Sequence, residues 1–112
     1  MATKRQRETA KALNALTPMI PFNEAEEVKA LSGQKHLRHL PVSIAVWLSL
    51  VAHIRHTQTD YDALLDDGYD RDAARHFVAD DINAVLTSWR ATRLVDTRDS
   101  ETESGLPDPV ED

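Results

Sequence analysis

Residues 41 to 54 form a stretch of this chain that is apolar on every side when it is drawn as a helix. Pro41 suits the first turn of such a helix, where its missing N–H costs nothing. The apolar side chains behind it cover the whole circumference: Val42, Ile44, Ala45, Val46, Trp47, Leu48, Leu50, Val51, Ala52 and Ile54. The β-branched residues make a strand the rival interpretation, but the length of the run and its alanines favour a helix. Because a helix without a polar face must be buried, the sequence predicts an interior helix over about 41 to 56.

Two shorter helices are predicted before this interior helix. Residues 5 to 16 repeat apolar side chains at every third position, and a Thr-Pro pair ends the helix because the residue before a proline is driven out of the helical conformation. The apolar residues 19 to 22 then form an extended connector. Asn23, with Glu26 three residues later, matches a helix-capping pair, and Gly33 suits the end of that helix.

Two further helices are predicted after the interior helix. Thr59 and Asp62 match a capping pattern ahead of a short helix that Gly68 ends. Asp70 can cap the last and longest helix, roughly 71 to 92. One face of that helix carries a stripe of apolar side chains at helical spacing: Ala74, Phe77, Val78, Ile82, Val85 and Trp89.

The net charge of −6 comes from the C-terminal end of the chain. Residues 96 to 112 carry seven acids and one base, whereas residues 1 to 95 carry twelve of each and are neutral. The C-terminal composition is too polar to bury enough apolar surface to offset the entropy of ordering. The sequence therefore predicts a single helical domain over 1–95 and an acidic disordered tail over 96–112.

The predicted fold class is all-α, a compact bundle of four or five helices around a central apolar helix. A chain of 112 residues is long enough for one such domain with a modest core. We expect the interior helix to pack against the last helix through a shared set of large side chains: Trp47, Leu50, Val51, Phe77, Ile82 and Trp89.

Composition also excludes several classes of protein. The chain has no cysteine, so it has no disulfide framework and no thiolate metal site. Its N-terminus is polar and lacks the apolar core of a signal peptide. The apolar run of the interior helix is far shorter than the roughly 20 residues that cross a bilayer. The sequence predicts a cytoplasmic protein without membrane contact.

The segment after the interior helix reads Arg-His-Thr-Gln-Thr-Asp-Tyr-Asp, from Arg55 to Asp62. It resembles the central motif, Arg-His-x-x-Thr-x-Tyr-Asp, of a bacterial family known as domain of unknown function 2293. The positions that carry the resemblance, within roughly residues 20 to 91, are Arg55, His56, Thr59, Tyr61, Asp62, Gly68, Arg71, Arg75, Trp89 and Arg90. The last helix departs from the family pattern because it also carries Asp72, Asp80 and Asp81. That family has no assigned activity, so the resemblance implies a fold and its boundaries but no reaction.

Arg55 and His56 fall on the last turn of the interior helix, where two interpretations stay open. Cations there complement the negative end of the helix dipole and bond its free carbonyls. Alternatively, they bind a phosphate together with neighbouring threonine hydroxyls and the exposed N–H groups of the next helix. Asp60 and Asp62 would repel an anion at that place, which favours an ion pair of Asp62 with Arg55 or Arg71.

The histidines form two pairs at a spacing of three, His36 with His39 and His53 with His56. On a helix this spacing places both rings on one face, where a nearby carboxylate could complete a divalent metal site. No metal-binding signature accompanies them, so no metal and no cofactor is predicted. Tyr61 and its neighbouring aspartate could act as an acid–base pair, but a tyrosine in a first helical turn is more typical of packing.

The cations of the chain are concentrated in its first half. Residues 1 to 56 carry eight bases and four acids, whereas residues 57 to 95 carry four bases and eight acids. If the first helix folds back beside the basic connector at 34–40, one surface gathers several cations: Lys4, Arg5, Arg7, Lys11, Lys35, Arg38 and Arg55. Such a surface neutralises phosphates and predicts salt-sensitive nucleic-acid binding. The acidic tail argues against it, because the tail could cover the same surface.

The leading hypothesis is a non-catalytic binding module that contacts a nucleic acid or another phosphate-bearing partner. The candidate ligand-binding residues are Arg38, His39, His53, Arg55, His56, Thr59, Tyr61, Asp62, Arg71 and Arg75. One alternative is a protein–protein adaptor or homo-oligomerising domain that uses an exposed apolar part of the last helix. Another is a metal-assisted enzyme that uses His53 and His56 with Asp60 or Asp62.

Overall fold

A computed structural model of the chain describes residues 1 to 97, and it contains five α-helices and no strand over that range. The elements are α1 (Lys4–Leu16), α2 (Phe22–Ser32), a short 3₁₀ turn (Lys35–Leu37), α3 (Val42–Gln58), α4 (Tyr61–Asp66) and α5 (Arg71–Ser88). The predicted all-α bundle is thereby confirmed. All but the first two residues of the predicted disordered tail lie outside the described residues.

The centre of the bundle is α3. Its side chains are buried almost without interruption from Ala45 to Arg55, and α1, α2, α4 and α5 all contact it. The prediction of an interior helix is therefore confirmed. No helix within residues 1 to 97 combines the length and apolar character that a membrane span requires.

The helix ends follow the sequence signals in most places. The Asp70 side chain accepts a hydrogen bond from the backbone N–H of Ala73 at 2.8 Å, so the predicted cap of α5 is confirmed. The predicted cap at Asn23 is wrong, because α2 begins at Phe22 with Pro21 in the capping position. The backbone carbonyl of Pro21 accepts the first hydrogen bond of the helix, from the N–H of Ala25. The helix has therefore already begun when the chain reaches Asn23.

The chain leaves α5 earlier than the sequence predicts, at Ser88 instead of about residue 92. Arg90 adopts a left-handed backbone conformation, with φ of 59°, and this turns the chain back across the bundle. The carbonyl of Trp89 then accepts a hydrogen bond from the N–H of Met19. Further on, the Asn83 side chain bonds both the N–H and the carbonyl of Val95, at 2.8 and 3.0 Å. The residues after α5 thus pack on the domain.

Phe77 corrects one part of the predicted α3–α5 interface. The other five members of the predicted set belong to the buried core, whereas Phe77 is 59% exposed and stacks edge-on against Tyr69. The buried stripe of α5 repeats at intervals of four, through Ala74, Val78, Ile82 and Leu86. Phe77 precedes Val78 by one residue, which rotates it about 100° away from that stripe. The stripe that is buried is therefore the one through Val78 and Ile82, and Phe77 lies outside it.

Candidate functional site

His53 is buried in α3, yet both nitrogens of its ring face carboxylates of α2. Its Nε2 lies 2.5 Å from Glu24 Oε1, and its Nδ1 lies 3.5 Å from Glu27 Oε2. α2 packs against α3, and this contact places Glu24 and Glu27 of α2 beside His53 of α3. Three potential metal ligands, one nitrogen and two oxygens, therefore meet across the α2–α3 interface.

His56 has a different set of neighbours from His53, although the two lie three residues apart on one helix. Its Nδ1 lies 2.7 Å from Asp62 Oδ1, and its ring meets the ring of Tyr61 edge-on at 5.3 Å. Its Nε2 is buried and has no hydrogen-bond partner among residues 1 to 97. The structure thus places the two histidines of the predicted metal set at separate carboxylates.

Arg55 is 5% exposed, so its guanidinium does not project from the surface. It lies over the ring of Tyr61, at 5.4 Å from the centroid, in a cation–π arrangement. The Thr59 hydroxyl donates to the carbonyl of Arg55 and accepts from the N–H of Tyr61, at 2.5 and 3.2 Å. Thr59 therefore caps the end of α3. The predicted capping pair of Thr59 and Asp62 is wrong for α4, because the N-cap of α4 is Asp60, without a side-chain cap bond, and Asp62 pairs with His56 instead.

The remaining predicted site residues lie on other elements. Arg71 and Arg75 occupy the first two turns of α5, and Arg75 Nη1 is 3.9 Å from Asp72 Oδ1. Arg38 and His39 are exposed in the connector before α3, where Arg38 Nε donates to the carbonyl of Gly33 at 3.2 Å. The ten predicted residues are therefore spread over the connector, the α3–α4 junction and α5.

A groove of about 760 Å³ opens between α1, α2 and the connector. We call it the basic groove, because four cations and one acid are among the residues that line it. The lining residues are Ala2, Thr3, Arg5, Gln6, Arg7, Thr9, Ala10, Glu26, Lys29, Ala30, Gly33 and Arg38. Of the ten predicted site residues, Arg38 alone belongs to this lining.

Arg5 holds the basic groove together. Its Nη2 donates to the carbonyls of Leu37 and Leu40, at 3.3 and 2.7 Å, across more than thirty residues of sequence. α1 therefore folds back beside the connector. This is the arrangement under which the cations of the two segments were expected to share one surface. Arg55 does not join them, because it is buried at the far end of α3.

Comparison with known protein families identifies the chain. The family model described as "Uncharacterized conserved protein (DUF2293)" matches residues 12–90. The chain belongs to this family. The matched residues extend from the second half of α1 to the end of α5, so all of α2, α3 and α4 lie within them. No curated protein and no solved structure matches the chain.

Sequence reasoning missed two features of this DUF2293 chain. Glu24 and Glu27 were not predicted to meet His53, although their spacing of three places both on one face of a helix. Lys29 was not among the cations predicted to form the basic surface. It forms an ion pair with Glu26 at the edge of the basic groove. Both features depend on how α2 is rotated against α1 and α3.

Proposed function

We propose that this member of the DUF2293 family is a non-catalytic binding module whose basic groove contacts the phosphates of a nucleic acid or of another phosphate-bearing partner. The observation that carries the proposal is the convergence of Arg5, Arg7, Lys29 and Arg38 on one groove of about 760 Å³. These cations come from α1, α2 and the connector, so the fold rather than a local run of sequence brings them together.

The cations of the basic groove suit phosphate in their chemistry. A guanidinium presents five N–H donors and binds phosphate oxygens as a planar fork. Arg7 uses Nη1 for the carbonyl of Ala2, and Arg38 uses Nε for the carbonyl of Gly33. These bonds orient the two guanidinium groups and leave further donors on each for a ligand. The start of α1 also lines the groove, and the positive end of its dipole favours an anion there.

A salt titration of binding to random-sequence duplex and single-stranded oligonucleotides tests this proposal. Two or three phosphates in the basic groove give a slope of about −2 to −3 in log K against log salt concentration. Replacement of Arg38 by glutamate should weaken binding at low salt by at least about tenfold and reduce that slope by about one, because one phosphate contact is lost.

Arg71→Glu is the matched control, because it reverses the same charge at an exposed position on α5, away from the groove. It should weaken binding much less than Arg38→Glu. Equal losses of affinity in the two variants would show a response to net charge alone. The basic groove would then be excluded as the binding surface. No binding to either oligonucleotide at low salt would remove the nucleic-acid partner.

A specific observation also favours the adaptor as a second candidate function. Tyr69 and Phe77 stack with ring centroids 5.3 Å apart, and both are exposed. Aromatic side chains are enriched in protein interfaces. Light scattering of the full chain tests the homo-oligomeric form of this candidate: a stable dimer that Phe77→Ala dissociates would support it, and a monomer at every concentration would exclude it.

A further inference from the structure

We propose that Glu24, Glu27 and His53 form a binding site for one divalent transition-metal ion of the zinc class. One donor atom from each of the three side chains lies within 4.8 Å of the other two. Imidazole nitrogen with carboxylate oxygens is a donor set that zinc accepts in proteins. This site lies between α2 and α3, outside the basic groove.

The spacing of the donors is close to what a metal ion requires. Zinc–nitrogen and zinc–oxygen distances near 2.1 Å in a tetrahedral site place two ligand atoms about 3.4 Å apart. The three atoms lie within 4.8 Å of one another, so the widest separation has to contract by up to about 1.4 Å. The Glu27 side chain is 66% exposed and can rotate to supply it. Glu24 must move the other way, because its oxygen lies 2.5 Å from His53 Nε2 and has to withdraw by about 0.9 Å to admit the ion.

The burial of His53 gives the site its fixed component. Its side chain is 3% exposed, and Glu24 and Glu27 of α2 lie beside its two ring nitrogens. Thr57 donates a hydrogen bond to the His53 carbonyl at 2.6 Å, which restrains the same turn of α3. A ligand whose rotamer is locked by packing loses little entropy when it binds a metal.

A second opening in the fold gives the site access to solvent. A pocket of about 380 Å³ is lined by residues of α2, α3 and the connector: Glu27, Ala30, Leu31, Gln34, Ala52, His53, His56 and Thr57. Three protein ligands with space beside them describe a metal site that keeps positions for water or an exchangeable ligand. His56 also lines this pocket, but it is a neighbour of the site, because the group of donor atoms within 4.8 Å of one another consists of Glu24, Glu27 and His53.

The competing explanation is a protonated His53 that bridges two carboxylates without any metal. This arrangement satisfies the same three side chains through hydrogen bonds and ion pairing. The two explanations differ in what a metal titration finds. A bridging imidazolium gives no saturable site, whereas a metal site binds one ion per chain and depends on each ligand.

Calorimetric titration of the full chain with Zn²⁺, in a buffer that does not chelate metals, tests the proposal. We expect one saturable site per chain. Glu27→Gln should weaken zinc binding at that site by at least about tenfold, since loss of a ligand costs no less than loss of an outer-shell partner. Glu27 is exposed, so this substitution should leave the far-ultraviolet circular dichroism spectrum unchanged.

Glu26→Gln is the matched control, because it makes the same change at the adjacent residue, which pairs with Lys29 instead. It should leave the zinc affinity of the site unchanged. Nuclear magnetic resonance of the five histidine rings supplies the second measurement. One equivalent of Zn²⁺ should shift the ring signals of His53 most. Absence of a saturable site, equal weakening by the two substitutions, or a first shift at His36 or His39 would each overturn the proposal.

Discussion

Replacement of Tyr61 by alanine is expected to lower the free energy of unfolding by about 4 kcal/mol, the largest single effect among the residues of the Arg-His-x-x-Thr-x-Tyr-Asp segment. The Tyr61 side chain is 0% exposed, and its ring contacts both His56 and Arg55. Removing the ring leaves a cavity where α3 meets α4 and takes away the face on which the buried guanidinium rests. Urea denaturation monitored by circular dichroism measures the loss.

Tyr69→Ala is the control for this prediction, because it removes the chain's other tyrosine from a position that is 44% exposed. It should cost about 1 kcal/mol or less, since it forgoes one edge-on ring pair and a small buried area. A Tyr61→Ala protein as stable as Tyr69→Ala would mean that the ring does not support the α3–α4 junction. The account of the Tyr61 ring as the packing centre of this segment would then be wrong.

Ile82→Ala is expected to cost about 3 kcal/mol, because Ile82 is buried in the stripe of α5 that faces the core. Phe77→Ala, on the same helix, should cost about 1 kcal/mol or less despite removing a larger side chain, since most of the Phe77 ring already meets water. The comparison separates burial from residue type. Urea midpoints of the two variants, with the slopes checked for equality, measure it.

Which of the two substitutions, Ile82→Ala or Phe77→Ala, costs more stability shows how α5 is rotated about its axis. The sequence predicts both side chains in the α3–α5 interface, whereas the structure buries only Ile82 of the pair. If Phe77→Ala were the more damaging substitution, α5 would have to be rotated about its axis so that Phe77 faces the core. The exposed pair of Tyr69 and Phe77 would then also be lost as an interaction surface.

The fold could be predicted because its central element needs no knowledge of its neighbours. A run of apolar residues from Val42 to Ile54 has no polar face, so it must be surrounded whatever surrounds it. The cap at Asp70 is equally local, because its partner is three residues away. Apolar periodicity and helix caps both depend on residues within one helix, so they can be recognised without knowledge of the other helices.

Two of the wrong predictions concern the side chain of Phe77 and the start of α2. The apolar stripe predicted for α5 is wider than the face that is buried, and the sequence does not say which edge of the stripe remains in water. Phe77 falls on that edge. The N-cap of α2 is Pro21, two residues before the predicted cap at Asn23, so the helix begins at Phe22.

The candidate site was predictable only in part, for a related reason. His53 and Glu24 are 29 residues apart, and Arg5 and Leu37 are 32 residues apart, so no spacing rule links them. The sequence does show an excess of cations in residues 1 to 56. It also predicts that they share one surface if the first helix folds back beside the connector. The return of α1 along the connector meets that condition and assembles the basic groove without Arg55.

The basic groove, and not the segment from Arg55 to Asp62, is the proposed binding surface. A titration of isotope-labelled protein with a short random-sequence oligonucleotide at low salt, followed by amide nuclear magnetic resonance, tests this most directly. We predict that the largest shifts fall on the first turns of α1 and on residues 33 to 38. Largest shifts at residues 55 to 62, with the α1 amides unmoved, would contradict it.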